Sequence, residues 1–211
     1  ELHVLPYCLT DARKTVVINI MYDPFASSTY EYSPDYESFY SFENNHDYIC
    51  GEIGAISEKR EVSAVSLDHV IEIENLAPPD FLSIDTEGSE YDVLLGSEET
   101  IKSNVVALVL ETQFSPVFKE QKLFGEISKL LHEWGFYFVN LEVHPGASPF
   151  RGSIGTRAEG FQLTGDALFI RRIDNLRTIS DPVKRRIMLN KLAFISFIYN
   201  QCEYGQQCLI E

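Results

Sequence analysis

Asp80-Phe81-Leu82-Ser83-Ile84-Asp85-Thr86-Glu87-Gly88-Ser89-Glu90-Tyr91-Asp92-Val93-Leu94-Leu95-Gly96 carries three local signals in succession. Phe81 to Ile84 is a short apolar run of the length of a buried strand. It stops at Asp85, and Glu87, Gly88 and Glu90 follow. Tyr91, Leu94 and Leu95 then recur at helical spacing, and Gly96 is placed to end that helix. A strand, an acidic turn and a helix in this order predict an α/β sheet. In such sheets the ligand crevice lies at the carboxyl ends of the strands. Asp85, Glu87 and Glu90 repel one another at this spacing. Helix amides, a bound cation or a polar ligand would offset the repulsion.

The flanks extend the pattern. Leu2–Leu5 and Val16–Met21 read as strands around the polar turn Thr10–Lys14. Residues 22 to 48 read as a loop rich in Tyr, Ser, Asp and Asn, either a ligand-facing lid or a segment packed on the domain. Val62–Leu67 alternates like a strand, and a short helix starts at Leu67 with Asp68 near its positive end. Ser97-Glu98-Glu99 looks like another helix start. Val105–Leu110 predicts a buried strand that ends in Glu111. Leu123–Trp134 predicts an amphipathic helix with Ile127, Leu130, Leu131 and Trp134 on one face. Gly135 stops it, and Phe136–Leu141 is the next strand. A Gly/Pro-rich loop over residues 142 to 165 carries His144, Arg151 and Arg157, and Ala167–Ile170 is a last strand. This alternation predicts a mostly parallel sheet, with an antiparallel C-terminal edge pair where the helix is missing. Ser180-Asp181-Pro182 opens a terminal helix with Met188, Leu192, Ile195 and Tyr199 on one face. Lys184, Arg185 and Arg186 sit in its first turns, where the dipole disfavours them; they form a solvated face or meet an acidic surface.

The chain has 211 residues, enough for one domain with a core, and no apolar stretch of membrane-spanning length. Cys8, Cys50, Cys202 and Cys208 lack metal-type spacing and suit free thiols in a reducing, cytoplasmic compartment. Net charge is −15. Residues 1 to 99 hold 4 basic and 21 acidic side chains, and the remainder 13 and 11. Such an acidic first half argues against nucleic-acid binding, which needs phosphate neutralisation.

Phe81 to Glu90, with Leu94-Leu95-Gly96 behind it, resembles the FkbM family of S-adenosylmethionine-dependent methyltransferases. Val65-Ser66-Leu67-Asp68, Val109-Leu110-Glu111, Gly135-Phe136, Leu9-Thr10-Asp11 and Ser27-Ser28 resemble the family's flanking motifs. The resemblance covers roughly residues 2 to 172 and implies a Rossmann-like methyltransferase sheet. The family's glycine-rich strand–turn–helix, which holds the methionyl part of the cofactor, has no counterpart here. Gly51-Glu52-Ile53-Gly54 is no substitute. The chain therefore resembles the C-terminal two-thirds of the domain. Ser83 departs from the family's usual Lys. The expected organisation is a partial FkbM-like domain over residues 1 to 175 and a helical extension over 176 to 211.

The resemblance implies S-adenosylmethionine as cofactor and O-methylation of a small-molecule or sugar hydroxyl. A non-catalytic binding or assembly domain lacking the main cofactor cradle is the alternative. Asp85 and Glu87 are placed to orient donor or acceptor, or to serve as base if their pKa values are raised. Gly88 would permit close backbone approach. Asp11 would meet the adenine amino group, although an ordinary turn Asp fits equally. Ser27 and Ser28 line the pocket or cap the loop. Glu111 contacts substrate, and His144 is the best-placed histidine base. No metal is expected, although Asp85, Glu87 and Glu90 could ligate a divalent cation through oxygen. No nucleic-acid or membrane partner is expected, and a homo-oligomer would cover exposed sheet edges.

Overall fold

A computed structural model of the chain describes residues 2–36, 54–144 and 160–211. Most of the aromatic loop after Tyr36, the Gly51-Glu52-Ile53 segment, Cys50, Arg151 and Arg157 lie outside the described residues. Two sheets form. In the first, β1 (Cys8–Leu9) runs parallel to β3 (Ile56–Val65), and β2 (Lys14–Met21) pairs antiparallel with β3. In the second, β4 (Phe81–Ile84), β5 (Ala107–Gln113), β7 (Thr164–Arg171) and β6 (Phe136–Val143) lie in that order. There β4 and β5 are parallel, and β7 is antiparallel to both β5 and β6.

The expected antiparallel C-terminal pair is present, but the sheets are mixed rather than mostly parallel. The reason is topological: β7 enters between β5 and β6 and so reverses two pairings at once. β4 ends the sheet order among the described strands. Leu2–Leu5 forms no strand; Leu2 and Val4 are exposed, and pairing begins at Cys8.

The unbroken apolar run of β5 arises because both faces of the second sheet are covered. Successive strand side chains alternate between faces. Leu108 and Leu110, with Ala167 and Phe169 of β7, meet Ile127 and Leu131 of α4 (Phe124–Glu133) and Val93, Leu94 and Ile101 from two shorter helices. These helices are α2 (Glu90–Leu95) and α3 (Glu98–Ser103). Ala107, Leu168 and Ile170 face the opposite way. They meet α5 (Ile173–Arg177), α6 (Pro182–Ile198) and α7 (Cys202–Ile210) through Ile173, Leu176, Leu189, Leu192 and Cys208. On α2 Val93 and Leu94 are buried, whereas Leu95 of the expected stripe is 39 % exposed.

Capping departs from the sequence expectation at one point. Asp68 lies in the first turn of α1 (Leu67–Ile73), but its carboxylate accepts from the backbone N–H groups of Glu99 (3.0 Å) and Thr100 (2.9 Å). It therefore caps α3 from outside. Ser97, the sequence's own choice for that cap, instead donates to the Val93 carbonyl oxygen at 2.6 Å. Gly96 is needed where the first sheet meets α2, because a Cβ there would lie 2.0 Å from the Thr10 carbonyl oxygen.

Candidate active site

The turn after β4 is built around a buried carboxylate. Glu90, 1 % exposed, turns its Oε1 back on the turn. That oxygen accepts from the Thr86 N–H (2.9 Å), the Thr86 hydroxyl (3.0 Å) and the Gly88 N–H (3.1 Å). These bonds hold two consecutive residues in left-handed conformations, Glu87 at φ 52° and Gly88 at φ 100°. The first is uncommon for a residue with a Cβ and needs such support. Glu90 is thereby the clasp of the turn. The neighbour that demands glycine at 88 is the Phe118 ring, whose Cδ2 would lie 2.5 Å from an added Cβ.

With the turn in this shape, Asp85, Glu87 and Glu111 each bring a carboxylate oxygen within 4.8 Å of the others. The trio differs from the one expected for a cation, since Glu111 from β5 takes the place of Glu90. Among the described residues no Lys or Arg pairs with these three. Burial, with the charges of Glu111, Asp85 and Glu90, pushes the Glu87 carboxyl up to about 8. Burial, with Asp85 and Glu90, pushes Glu111 up to about 7 against the opposing pull of His144. Such a donor set suits a cation, either organic or divalent, and suits a carboxyl that holds a proton near neutrality.

His144 closes the group. Its Nδ1 lies 3.7 Å from Glu111 and 2.9 Å from the Thr164 hydroxyl, and its Nε2 lies 3.0 Å from Asp166. An ionised carboxylate can only accept, so Nε2 carries the proton toward Asp166 and Nδ1 faces Thr164 and Glu111. On its far side Glu111 accepts from Gln113 Nε2 at 3.2 Å. Gln113 accepts in turn from Gln121 at 2.7 Å, and Gln121 Oε1 receives the N–H groups of Val117 and Phe118. A chain of buried amides thus links Glu111 to the ring beneath Gly88.

The remaining expected residues divide. Ser28, fully buried, donates to the Glu87 carbonyl oxygen at 2.5 Å and accepts from the Tyr30 N–H. Ser27 accepts from the Met21 N–H at the end of β2 and touches none of the acids. Asp11 stands apart from the carboxylate group. It pairs with Lys14 at 2.5 Å and accepts from the Thr10 hydroxyl, and the Lys14 ammonium holds its carboxyl below the usual range.

Asp166, Gln113 and Gln121 escaped the sequence reading. The strand register shows what signal was present. Asp166 sits opposite Glu111 on one side and Glu142 on the other, a row of three acids across β5, β7 and β6. Like charges directly opposite are destabilising in a sheet and point to use. Seeing the row requires knowing that β7 lies between the other two.

The model of the methyltransferase FkbM domain matches residues 7–138, more than half of the chain. The match takes in the acid turn, Ser28 and Glu111, whereas His144, Asp166 and the last three helices lie beyond it. No curated protein and no solved structure gives a match. The chain belongs to the FkbM methyltransferase domain family.

Proposed function

We propose that the carboxylate group serves S-adenosylmethionine-dependent methyl transfer to a hydroxyl of a small molecule or sugar. The observation that carries this reading is the convergence of Asp85, Glu87 and Glu111 with no Lys or Arg counter-charge among the described residues. The four-stranded sheet, covered by helices on both faces, is read as part of a Rossmann-like sheet with a reversed strand near one edge.

S-adenosylmethionine, when bound, supplies a methyl group on a positively charged sulfur. Asp85 and Glu87 fit a cation of that kind. Their mutual repulsion falls when a positive group lies beside them, and the half-burial of Glu87 strengthens its attraction relative to bulk water, whereas Asp85 is exposed. Glu111 is placed to take the acceptor's hydroxyl proton, since a base that titrates near neutrality is best matched to the task. His144 lies between Glu111 and Asp166 and gives the proton a path outward. Gln113 fixes the Glu111 carboxylate in orientation. The acidity of residues 1 to 99 favours a neutral or cationic acceptor over a polyanion.

Calorimetry with S-adenosylhomocysteine tests the reading. Saturable binding by this chain is expected, weakened in Glu87→Gln. In an assay of methyl incorporation, Glu111→Gln should lower kcat by about 100-fold or more, the usual scale for a lost general base, with binding retained. Absence of binding both by this folded chain and by a version extended at its N-terminus favours the non-catalytic binding or assembly domain and overturns the enzyme reading.

A further inference from the structure

At the other end of the β5–β7 ladder lies a second cleft, which shares no residue with the carboxylate group. Arg171 lies five positions after Asp166 on β7, roughly 17 Å along the strand. The cleft holds about 400 Å³. Lys102 and Ser103 line it from α3, Trp134 from the end of α4, Arg171 from β7, Thr178 from just beyond α5, and Lys184 from the first turn of α6. In a chain of net charge −15, three cations meet here beside one lining carboxylate, Glu133.

We propose that this cleft binds a small phosphate-bearing anion, with the phosphate facing Arg171 and Lys184 and any organic part lying on Trp134. Arg171 carries the argument. It is 4 % exposed, yet no carboxylate among the described residues pairs with it. Its Nε donates to the Val105 carbonyl oxygen at 2.6 Å, and its Nη2 donates to that of Ile101. Its Cζ lies 4.6 Å from the centre of the Phe136 ring. These contacts explain why the side chain is held where it is. They do not supply a counter-ion, and a buried charge without one is costly.

The remaining guanidinium nitrogen, Nη1, makes no hydrogen bond among the described residues. Nor is it among the sealed polar atoms that lack partners, so it is not closed off from solvent, and Arg171 lines the cleft. Burial lowers the Arg171 pKa to about 10, which leaves it charged at neutral pH.

Lys184 is the second support. It sits at the N-terminal end of a 17-residue helix, where the dipole disfavours a cation. Its neighbours Arg185 and Arg186 donate to the carbonyl oxygens of Ile179 and Leu209, whereas the Lys184 ammonium has no partner among the described residues. Lys102 is shared: it pairs with Glu98 and lies 5.3 Å from the centre of the Trp134 ring. A tetrahedral oxyanion would offset the charges of Arg171 and Lys184 and receive the Ser103 hydroxyl, whereas the Thr178 hydroxyl at the rim already donates to the Asn175 carbonyl oxygen at 2.7 Å.

Trp134 is the chain's one tryptophan, so its fluorescence reports on this cleft directly. The experiment titrates the intact chain at low salt with inorganic phosphate and with glycerol 3-phosphate. Glycerol and sodium chloride at matched ionic strength are the controls. A saturable change with both phosphates and with neither control is expected. It should weaken about tenfold or more in Lys184→Glu and persist in Lys184→Arg. Tighter binding of glycerol 3-phosphate identifies a phosphate ester as the ligand class; equal binding identifies free phosphate. Binding weaker than about 10 mM, or binding unchanged in Lys184→Glu, overturns the proposal. No methyl donor is present, so failure here leaves the proposed methyl transfer untouched.

Discussion

Ser28 Oγ and the carbonyl oxygen of Glu87 lie 2.5 Å apart, 59 residues distant in sequence. This bond ties the loop after β2 to the strained turn that presents the acids. The same hydroxyl accepts from the Tyr30 N–H at 3.0 Å. Ser28→Ala removes the partner of two half-buried backbone groups, the Glu87 carbonyl and the Tyr30 N–H. The expected cost is about 1–3 kcal/mol in urea unfolding, together with weaker S-adenosylhomocysteine binding. Ser27→Ala removes only the acceptor for the Met21 N–H and should leave ligand affinity nearly unchanged.

The raised carboxyls set the pH dependence of stability. A carboxyl whose folded pKa exceeds its unfolded value favours the fold most while it is protonated. For Glu111 and Glu87 that contribution is complete below the usual carboxylate range and is lost as pH rises through about 7 for Glu111 and about 8 for Glu87. Glu87→Gln should match the parent near pH 4.5 and exceed it above pH 8. The gain is on the order of 1–2 kcal/mol after allowance for solvent screening. Urea unfolding of both proteins across this range checks the prediction; a parent more stable than the variant at high pH contradicts it.

Two glycines make opposite predictions. Gly88→Ala meets the Phe118 ring at 2.5 Å and a φ of +100° together, and should cost about 1–3 kcal/mol. Gly125 lies within α4, and a Cβ there meets nothing within 4 Å. Gly125→Ala should gain about 0.5–1 kcal/mol. Thermal melts of the two variants side by side distinguish a required glycine from a tolerated one.

Asp68→Ala removes the acceptor for two N–H groups at the start of α3 and should cost about 1 kcal/mol. Asp68→Asn should recover part of this through its side-chain oxygen. Because the cap comes from α1, hydrogen exchange at Glu99 and Thr100 should quicken in Asp68→Ala, while that of α4 stays unchanged.

Elements whose signals are local were readable from sequence. The β4 strand, the acid turn, the α4 stripe of Ile127, Leu131 and Trp134, and the Asp181-Pro182 helix start all follow from spacing and capping chemistry within a few residues. The reading failed where partners are distant. Nothing near Thr164 announces that its strand enters between two earlier ones, so the sheets came out mixed and the row Glu111, Asp166 and Glu142 stayed hidden. Glu90 looked like its neighbours in sequence. Only the folded turn separates a carboxylate spent on backbone amides from those left facing one another. Asp68 was placed on the correct helix, but the end that it caps belongs to another.

The late arrival of β7 between β5 and β6 also governs how the protein emerges from the ribosome. Synthesis delivers β5 and β6 well before the strand that joins them. Until Thr164–Arg171 has cleared the exit tunnel, one apolar edge of β5 waits uncovered, a template for wrong pairing with other chains. A nascent chain stalled before that point would be a natural client for a chaperone, and its release should coincide with the insertion of this one strand.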